Sequence, residues 1–494
     1  MSKQRCYKPD GISVWDTWCV ERDGVAHMYY LQSHEPGSPR PVTDGDWQGH
    51  AVSRDLIHWE ECPYAHGPSD RPDDNIQPWT GCCIYDKDRF NLFYTMRGKD
   101  EPIQRIGLAT SPDGYTFTKY EGNPIIFPDD RYINTREACG CVDCRDMVVV
   151  PYEDYYIGYF VTRIKGSTPS STACIACAVS RDMVTWKQKD PVFVPGNMAC
   201  VEAHDVFFLD GRWYLTCLVG HGYGNRGFYS DPNISNGTIY AVCDNPFGPY
   251  RQLEDDNVLI GGGCGYSCKS LMFRGKRYLI FTQRFTGRLD DTASRPYELK
   301  TDAAGHLYPA YPYDIPEARL GDPADLRDLD AKCICAHPAW VFNEGVWTRE
   351  GNIYKGSAET GWQAAEIIAG CDDYSEIEAE VTLLSGSAAG ITLRPFGHPF
   401  AMEDTGIILD HDVQKVFCDK LVNLNHNVNC RSFPVEYGRT YALHIVRCYD
   451  RLDAFIDGKL YLQLSVPFEN RDPRGWGVFV DRGAAEIRIT GLWK

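Results

Sequence analysis

Three acidic residues stand at comparable places in the first half of the chain: Asp16 in V-W-D-T-W, Asp146 in C-R-D-M and Glu202 in V-E-A-H-D. Each lies just upstream of an aromatic-rich run, with Asp16 11 residues before His27, Asp146 9 before Tyr155 and Glu202 11 before Trp213. Carboxylates brought together raise one another's pKa and destabilise a fold, so their convergence calls for a chemical reason. Cleavage of a glycosidic bond supplies one, because it needs two carboxyl groups, one an acid and one a nucleophile or base, around an oxocarbenium-like centre. A third carboxylate would bind sugar hydroxyls and stabilise the developing positive charge. Arg145, beside Asp146, is a partner for hydroxyls or for its neighbour, and Trp15, Trp18, Trp47 and Trp79 offer flat faces for the apolar side of a sugar ring.

The elements that must position these residues are legible as a repeat. An aromatic-rich strand pattern begins at His27 (HMYYLQ), Phe90 (FNLFYTM), Tyr155 (YYIGYFV), Arg212 (RWYLTCLV) and Lys276 (KRYLIFTQ), at spacings of 63, 65, 57 and 64 residues. A second unit follows four of these runs: GHAVSRDLIHW at 49–59, GLATSPDGYTF at 107–117, CAVSRDMVTW at 177–186 and YAVCDNPFGPY at 240–250. A period near 60 residues with several short strands and tight turns predicts four-stranded propeller blades, and five copies predict a five-bladed β-propeller over residues 1–340. The first strand of each blade lines the central funnel, which would bring the three acids from three blades to one pocket. From about Asn343 alternating strands such as EIEAEVTLL and YALHIVRCY, broken by Gly and Asp-Gly turns, predict a β-sandwich over 341–494. The stretch from Tyr308 to Asp330 reads as a linker or a blade-closing loop. The fold class is all-β: a five-bladed propeller followed by a C-terminal sandwich.

Composition agrees with this. The 494 residues include 30 Tyr, 21 Phe, 12 Trp, 45 Gly and 30 Pro, which favours strands and turns over long helices. The net charge of −18 repels nucleic acids and anionic membranes, so neither is expected as a partner. No apolar run approaches the roughly 18 residues of a membrane span. Twenty-one cysteines, an odd number with no visible export signal, read as reduced thiols in a cytoplasmic protein. The groups Cys139/Cys141/Cys144, Cys174/Cys177 and Cys333/Cys335 would make a structural zinc site only if two well-spaced pairs came together, and they read instead as small buried residues; no D-x-D-x-D-G run suggests calcium. No cofactor and no metal are expected.

At these residues the chain resembles the furanosidase clan of five-bladed propellers, which holds glycoside hydrolase family 32 (invertases, levanases, inulinases) and family 68 (levansucrases). The most specific match is G-H-A-V-S-R-D-L-I-H-W at 49–59, and Gln32, closing YYLQ, matches the glutamine that ends the family 32 strand. The resemblance implies Asp16 as nucleophile, Arg145-Asp146 as the arginine-aspartate motif with Asp146 the transition-state stabiliser, and Glu202 as acid/base. It also implies substrate contacts from Gln32 and from Trp79 and Thr80 within P-W-T-G at 78–81, beside the aromatic platforms Trp15 and Trp47. V-W-D-T-W at 14–18 looks more like the levansucrase nucleophile motif, while Met147 and Ala203 replace a usual Pro and Cys. The implied activity is release of a terminal β-fructofuranosyl unit from sucrose-like or short fructo-oligosaccharide substrates by double displacement. An arabinofuranosidase-like enzyme, a fructosyltransferase and a non-catalytic sugar-binding propeller are the alternatives. The expected partner is a small oligosaccharide, and the sequence leaves room for a homo-oligomer.

Overall fold

The structure is a computed structural model of the 494-residue chain. It describes residues 6–41, 46–135, 140–220, 237–255, 257–261, 265–283, 292–330, 332–334, 345–359, 361–371, 374–395, 405–420, 430–448, 451–465 and 474–494. The chain divides into two compact units, Met1–Pro312 and Tyr313–Lys494. The sequence places the change of character later, at 340. The earlier division has a packing reason: Leu329 joins the hydrophobic core of the second unit, and Ala324 N donates to the Leu492 carbonyl at 2.8 Å.

The first unit is all-β and propeller-like. Four antiparallel four-stranded sheets follow one another: β1 (Ile12–Arg22), β2 (Val25–His34), β3 (Gln48–Ser53), β4 (Trp59–His66); β5 (Trp79–Asp86), β6 (Arg89–Gly98), β7 (Glu101–Ser111), β8 (Thr118–Lys119); β9 (Arg145–Tyr152), β10 (Tyr155–Arg163), β11 (Ala173–Ser180), β12 (Lys187–Phe193); and β13 (Glu202–Leu209), β14 (Arg212–Val219), β15 (Gly237–Cys243), β16 (Val258–Gly261). Further strands β17 (Gly265–Phe273), β18 (Lys276–Gln283), β19 (Thr292–Ala293), β20 (Tyr297–Thr301) and β21 (Leu307–Ala310) pair in the same antiparallel manner. The aromatic runs of the repeat are β2, β6, β10, β14 and β18, the second strand of each group. Hydrophobic cores lie between successive sheets: Trp18, Tyr29, Leu31, Leu92 and Tyr94 join the first two, and Ile157, Tyr159, Val206 and Leu215 the third and fourth.

The repeated S-R-D-hydrophobic-hydrophobic-X-W segments are turns with a shared chemistry. Asp55 Oδ1 accepts from the Ile57 and His58 amides at 2.9 and 2.8 Å, Ser53 Oγ accepts from Leu56 N at 2.9 Å, and the Trp59 indole donates to the Leu56 carbonyl at 3.1 Å. Ser180, Asp182, Met183 and Trp186 repeat this, with Leu56 (φ 64°) and Met183 (φ 68°) in the left-handed region. Short polar side chains that capture nearby amides stabilise such turns. His50 of the same motif is buried and stacks on His27 and Tyr29 at ring distances of 5.2 and 4.8 Å. The motif is therefore a turn and core device of the first sheet.

The second unit is a β-sandwich. One sheet orders strands Lys459–Ser465, Arg451–Ile456, Thr440–Cys448, Tyr374–Ser385, Ala484–Trp493, Ile353–Ala358 and Gly345–Glu350; the other orders Lys332–Ile334, Trp362–Cys371, Arg474–Asp481, Ala388–Pro395, Thr405–Asp410, Lys415–Lys420 and Cys430–Ser432. Ile377, Leu443 and Ile487 of the first meet Ala365, Ile391 and Val478 of the second in one core. Alternation along Tyr374–Ser385 puts one face of the strand in that core.

Candidate active site

The site begins with a local irregularity that recurs in β1, β5, β9, β13 and β17. In β1 one extra residue, Asp16, stands between the paired Trp15 and Thr17. Elsewhere two residues oppose one of the neighbouring strand: Thr80 and Gly81 in β5, Asp146 and Met147 in β9, Ala203 and His204 in β13, Ser267 and Cys268 in β17. Asp16, Asp146, Ala203 and Ser267 adopt positive φ of 45°, 59°, 45° and 53°. A β-bulge bends its strand and re-aims a side chain, and non-glycine residues held at positive φ cluster at functional sites. Aspartate tolerates this conformation better than most residues.

Counting from the bulges corrects the sequence reading in one respect. Asp16 and Asp146 occupy equivalent bulge positions, together with Thr80. Glu202 lies one residue earlier, in the row of Trp15, Trp79 and Arg145, and Ala203 takes the bulge position. Unequal hairpin lengths between the inner strand and the aromatic run hide this offset from a residue count.

The geometry brings Asp146, Glu202 and Arg145 together directly. Arg145 is buried; its Nη2 lies 3.1 Å from Glu202 Oε1, its Nε 3.7 Å from Asp146 Oδ2 and its Nη1 3.1 Å from Asp143 Oδ1. Asp146 Oδ2 accepts from the Ala203 amide at 2.8 Å, which ties β9 to the bulge of β13. Its own amide donates to Thr95 Oγ1 at 3.1 Å, and Thr95 donates to the Thr80 carbonyl at 2.8 Å. Thr80 Oγ1 in turn donates to Asp16 Oδ2. A continuous hydrogen-bond chain thus runs from Asp16 through Thr80 and Thr95 to Asp146.

Burial pushes the Asp146 carboxyl up to about 7; Arg145 opposes the shift, while the charges of Asp16 and Glu202 add to it. Asp16 is also raised, by burial and by Glu202, against the Thr80 and Ser267 hydroxyls and the Lys269 ammonium. Two neighbouring carboxyls with raised pKa, one of them beside a buried guanidinium, form an acid-rich cluster of the kind that a cationic transition state would relieve.

The remaining expected residues divide. Gln32 is buried beside β1, paired with Val14, and its carbonyl accepts from Gln77 Nε2 at 2.9 Å. Trp15 and Trp79 are half-buried in the row above the bulges, and one face of the Trp79 ring is covered by the Arg97 guanidinium, 3.5 Å from the ring centroid. Trp47 is 39% exposed and stacks near Tyr64; among the described residues nothing links it to the carboxylates. Trp18 is a core residue at 2% exposure, not a platform. Sequence reasoning missed Thr95, Asp143, Gln104 and Arg97, which hold the acids or their partners. Only Asp143 had a visible signal, the alternation D-C-R-D.

Cys200 enters the site, its sulfur 2.8 Å from Arg145 Nη2, whereas Cys144, Cys174 and Cys177 are buried elsewhere. Cys139 and Cys335 lie outside the described residues, as does the Cys333 side chain. Among the described residues no cluster of His, Cys, Asp and Glu has the geometry of a metal site, and no helix is long and apolar enough to cross a membrane.

Comparison with known proteins agrees with this architecture. Residues 19–244 match the glycosyl hydrolases family 32 N-terminal domain. The invertase of Schizosaccharomyces pombe is 30% identical over 164 residues, covering 28% of this chain and 26% of that protein. The levanbiose-producing levanase of Bacillus subtilis is 29% identical over 223 residues, covering 42% and 39%. The chain thus spans less than half the length of each. Among solved structures, sucrose-6-phosphate hydrolase from Lactobacillus gasseri aligns over 100% of this chain and 93% of its own with a TM-score of 0.68 at 16% identity. The Bombyx mori GH32 beta-fructofuranosidase aligns over 100% and 95% with a TM-score of 0.67 at 16% identity, a likeness of fold. Over residues 19–244 the chain is therefore similar to the N-terminal domain of glycosyl hydrolases family 32, and over parts of its length to invertases and levanases.

Proposed function

We propose that the protein is a retaining glycoside hydrolase that releases a terminal β-fructofuranosyl unit from sucrose-like or short fructo-oligosaccharide substrates. The observation that carries this reading is that Asp146 and Glu202 both meet Arg145 while Asp16, on the adjoining inner strand β1, lies near enough for its charge to raise the Asp146 carboxyl. Glu202 donates a proton to the leaving oxygen as an Asp16 oxygen attacks the anomeric carbon and the glycosidic C–O bond breaks. Water then attacks the same carbon, Glu202 takes its proton, and the Asp16 ester bond is released. Asp146, held by Arg145 and the Ala203 amide, stabilises the positive charge that develops on the sugar in both steps. Trp15, Gln32, Trp79 and Thr80 line the approach; Trp47 would act only from the rim.

The fold reading that goes with this is a five-bladed propeller, with β17, β18, β20 and β21 as the fifth blade. Its support is that the inner strands neighbour one another in the order β1, β5, β9, β13, β17, and β17 again packs beside β1. The relatives named invertase, levanase and fructofuranosidase support a fructoside substrate. Transfer to a sugar acceptor is the second reading, favoured by V-W-D-T-W and by 41% identity over 111 residues to a bifunctional fructosyltransferase of Allium cepa. The odd number of cysteines, 21, fits a reducing compartment such as the cytoplasm.

The test is product analysis by NMR with sucrose, kestose, a short inulin and a synthetic arabinofuranoside. Fructose released first as the β-furanose supports double displacement on fructosides. Inverted product, or release from the arabinofuranoside alone, would overturn it, and longer fructosides in place of free fructose would mark a transferase.

A further inference from the structure

Beyond the bulges, the same five strands β1, β5, β9, β13 and β17 wall a second cavity of about 330 Å³. Their lining residues stand two to five positions past the bulge of each strand, from Trp18 and Cys82 to Pro151 and Phe208. At about 3.3 Å per residue that is roughly 7 to 16 Å along the strands from the carboxylates. The lining is mostly apolar, and three charged side chains enter it: Lys269, Arg277 and Asp205.

The acid does not pair with the cations. Asp205 Oδ2 accepts from Ser270 N at 2.8 Å and from Ser270 Oγ at 2.6 Å, and its Oδ1 accepts from Val206 N at 3.0 Å. Lys269, only 4% exposed, spends one donor on the His204 carbonyl at 2.6 Å. Arg277 is half-buried over the Phe207 ring, and its Nη1 donates to Ser270 Oγ at 2.8 Å. Among the described residues neither cation forms an ion pair; Asp16 acts on Lys269, and Asp205 on Arg277, only from further away. Two residues of the lining also carry buried donors without a hydrogen-bond partner among the described residues, Trp18 at Nε1 and Arg277 at Nε.

Other buried cations of this unit are treated differently: Lys119 reaches Asp74 at 2.6 Å and Arg145 reaches Asp143 at 3.1 Å. Two unpaired cations with surplus donors in one cavity are costly, because burial penalises charge that nothing balances. Burial pulls the Arg277 guanidinium down for this reason, with Asp205 opposing. Water would satisfy the donors but leave the charge. A small anion would do both, since ammonium and guanidinium groups make their strongest hydrogen bonds to charged acceptors.

We propose that this cavity binds one small inorganic anion, of the phosphate or halide class, between the Lys269 ammonium and the Arg277 guanidinium. The site is separate from the carboxylate cluster and does not depend on what that cluster does. A bound anion would join β17 to β18 through its two cationic contacts and stabilise the folded chain.

Calorimetry on the whole chain in a zwitterionic buffer, with sodium phosphate and sodium chloride titrated separately, tests the site. At least one of the two anions should bind with a stoichiometry near one and raise Tm as its concentration passes Kd. Which of them binds identifies the class. Arg277→Gln and Lys269→Met should each weaken that binding by about 10-fold or more, while Arg277→Lys keeps part of it. Arg277 is the less buried of the two cations, so Arg277→Gln decides the matter should Lys269→Met fail to fold. Absence of saturable binding by either anion, or binding of undiminished strength in Arg277→Gln, overturns the proposal.

Discussion

Two groups of buried acids can be compared within this chain. In the sandwich, Glu376 is fully buried, and its oxygens meet Arg319 Nη1 at 3.0 Å, His444 Nε2 at 2.9 Å and the Leu320 amide at 2.6 Å, while Glu378 takes the other arm of Arg319 at 2.7 Å. Every charge there has a partner whose geometry fits. In the propeller-like unit, Asp146 and Glu202 share Arg145 with Asp143, Asp16 acts on Asp146 through its charge, and burial drives Asp16 and Asp146 upward. The first arrangement is what a fold needs when it buries a carboxylate. The second is costly to the fold, with Asp16 and Asp146 on bulged backbone at positive φ, and such arrangements cluster at functional sites.

The sharpest way to break the comparison is to remove one acid from each group. Asp16→Asn or Glu202→Gln should lower kcat on sucrose by about 10⁴-fold or more with an unchanged or raised Tm. Glu376→Gln should leave the activity of folded protein intact and destabilise it by about 3 kcal/mol, read as a lower midpoint in urea, because Arg319 loses its charged partner. A next effect concerns pH. A carboxyl whose folded pKa of about 7 exceeds the ordinary 3.8 stabilises the protein only at low pH; that contribution is lost as pH rises from 3.8 to 7 and stays absent above. Asp146→Asn should therefore raise Tm at pH 8 and change it little below pH 4, while lowering kcat by about 10²-fold or more. Smaller still is Thr80→Val. It removes a donor from the Asp16 carboxylate, so Asp16 should ionise at higher pH, the acidic limb of kcat/KM should move upward, and the rate at neutral pH should fall by about 10-fold.

Much of this architecture was legible in the residues. Aromatic runs recurring every 57 to 65 residues specify the second strand of each group, since a half-buried pleated strand selects such residues. The S-R-D turns carry their hydrogen-bond chemistry in their own side chains. The acids could be found because they sit on those repeats, whereas their exact phase could not, since a bulge adds a residue without leaving a compositional trace. Thr95, Gln104 and Arg97 were invisible for a related reason: each is an ordinary strand residue whose role comes from the strand packed against it. The G-H-A-V-S-R-D motif shows the converse, being the most recognisable stretch of the sequence while serving a turn and a core.

The most direct measurement is fructose release from sucrose by the unaltered protein, by Asp16→Asn and by Glu376→Gln, with urea unfolding of all three alongside. The account predicts release by the unaltered and Glu376→Gln proteins, none by a well-folded Asp16→Asn, and a lower urea midpoint only for Glu376→Gln. Full activity in Asp16→Asn, or its unfolding in place of inactivation, would contradict the claim that the acids clustered on the inner strands are the ones that do the chemistry.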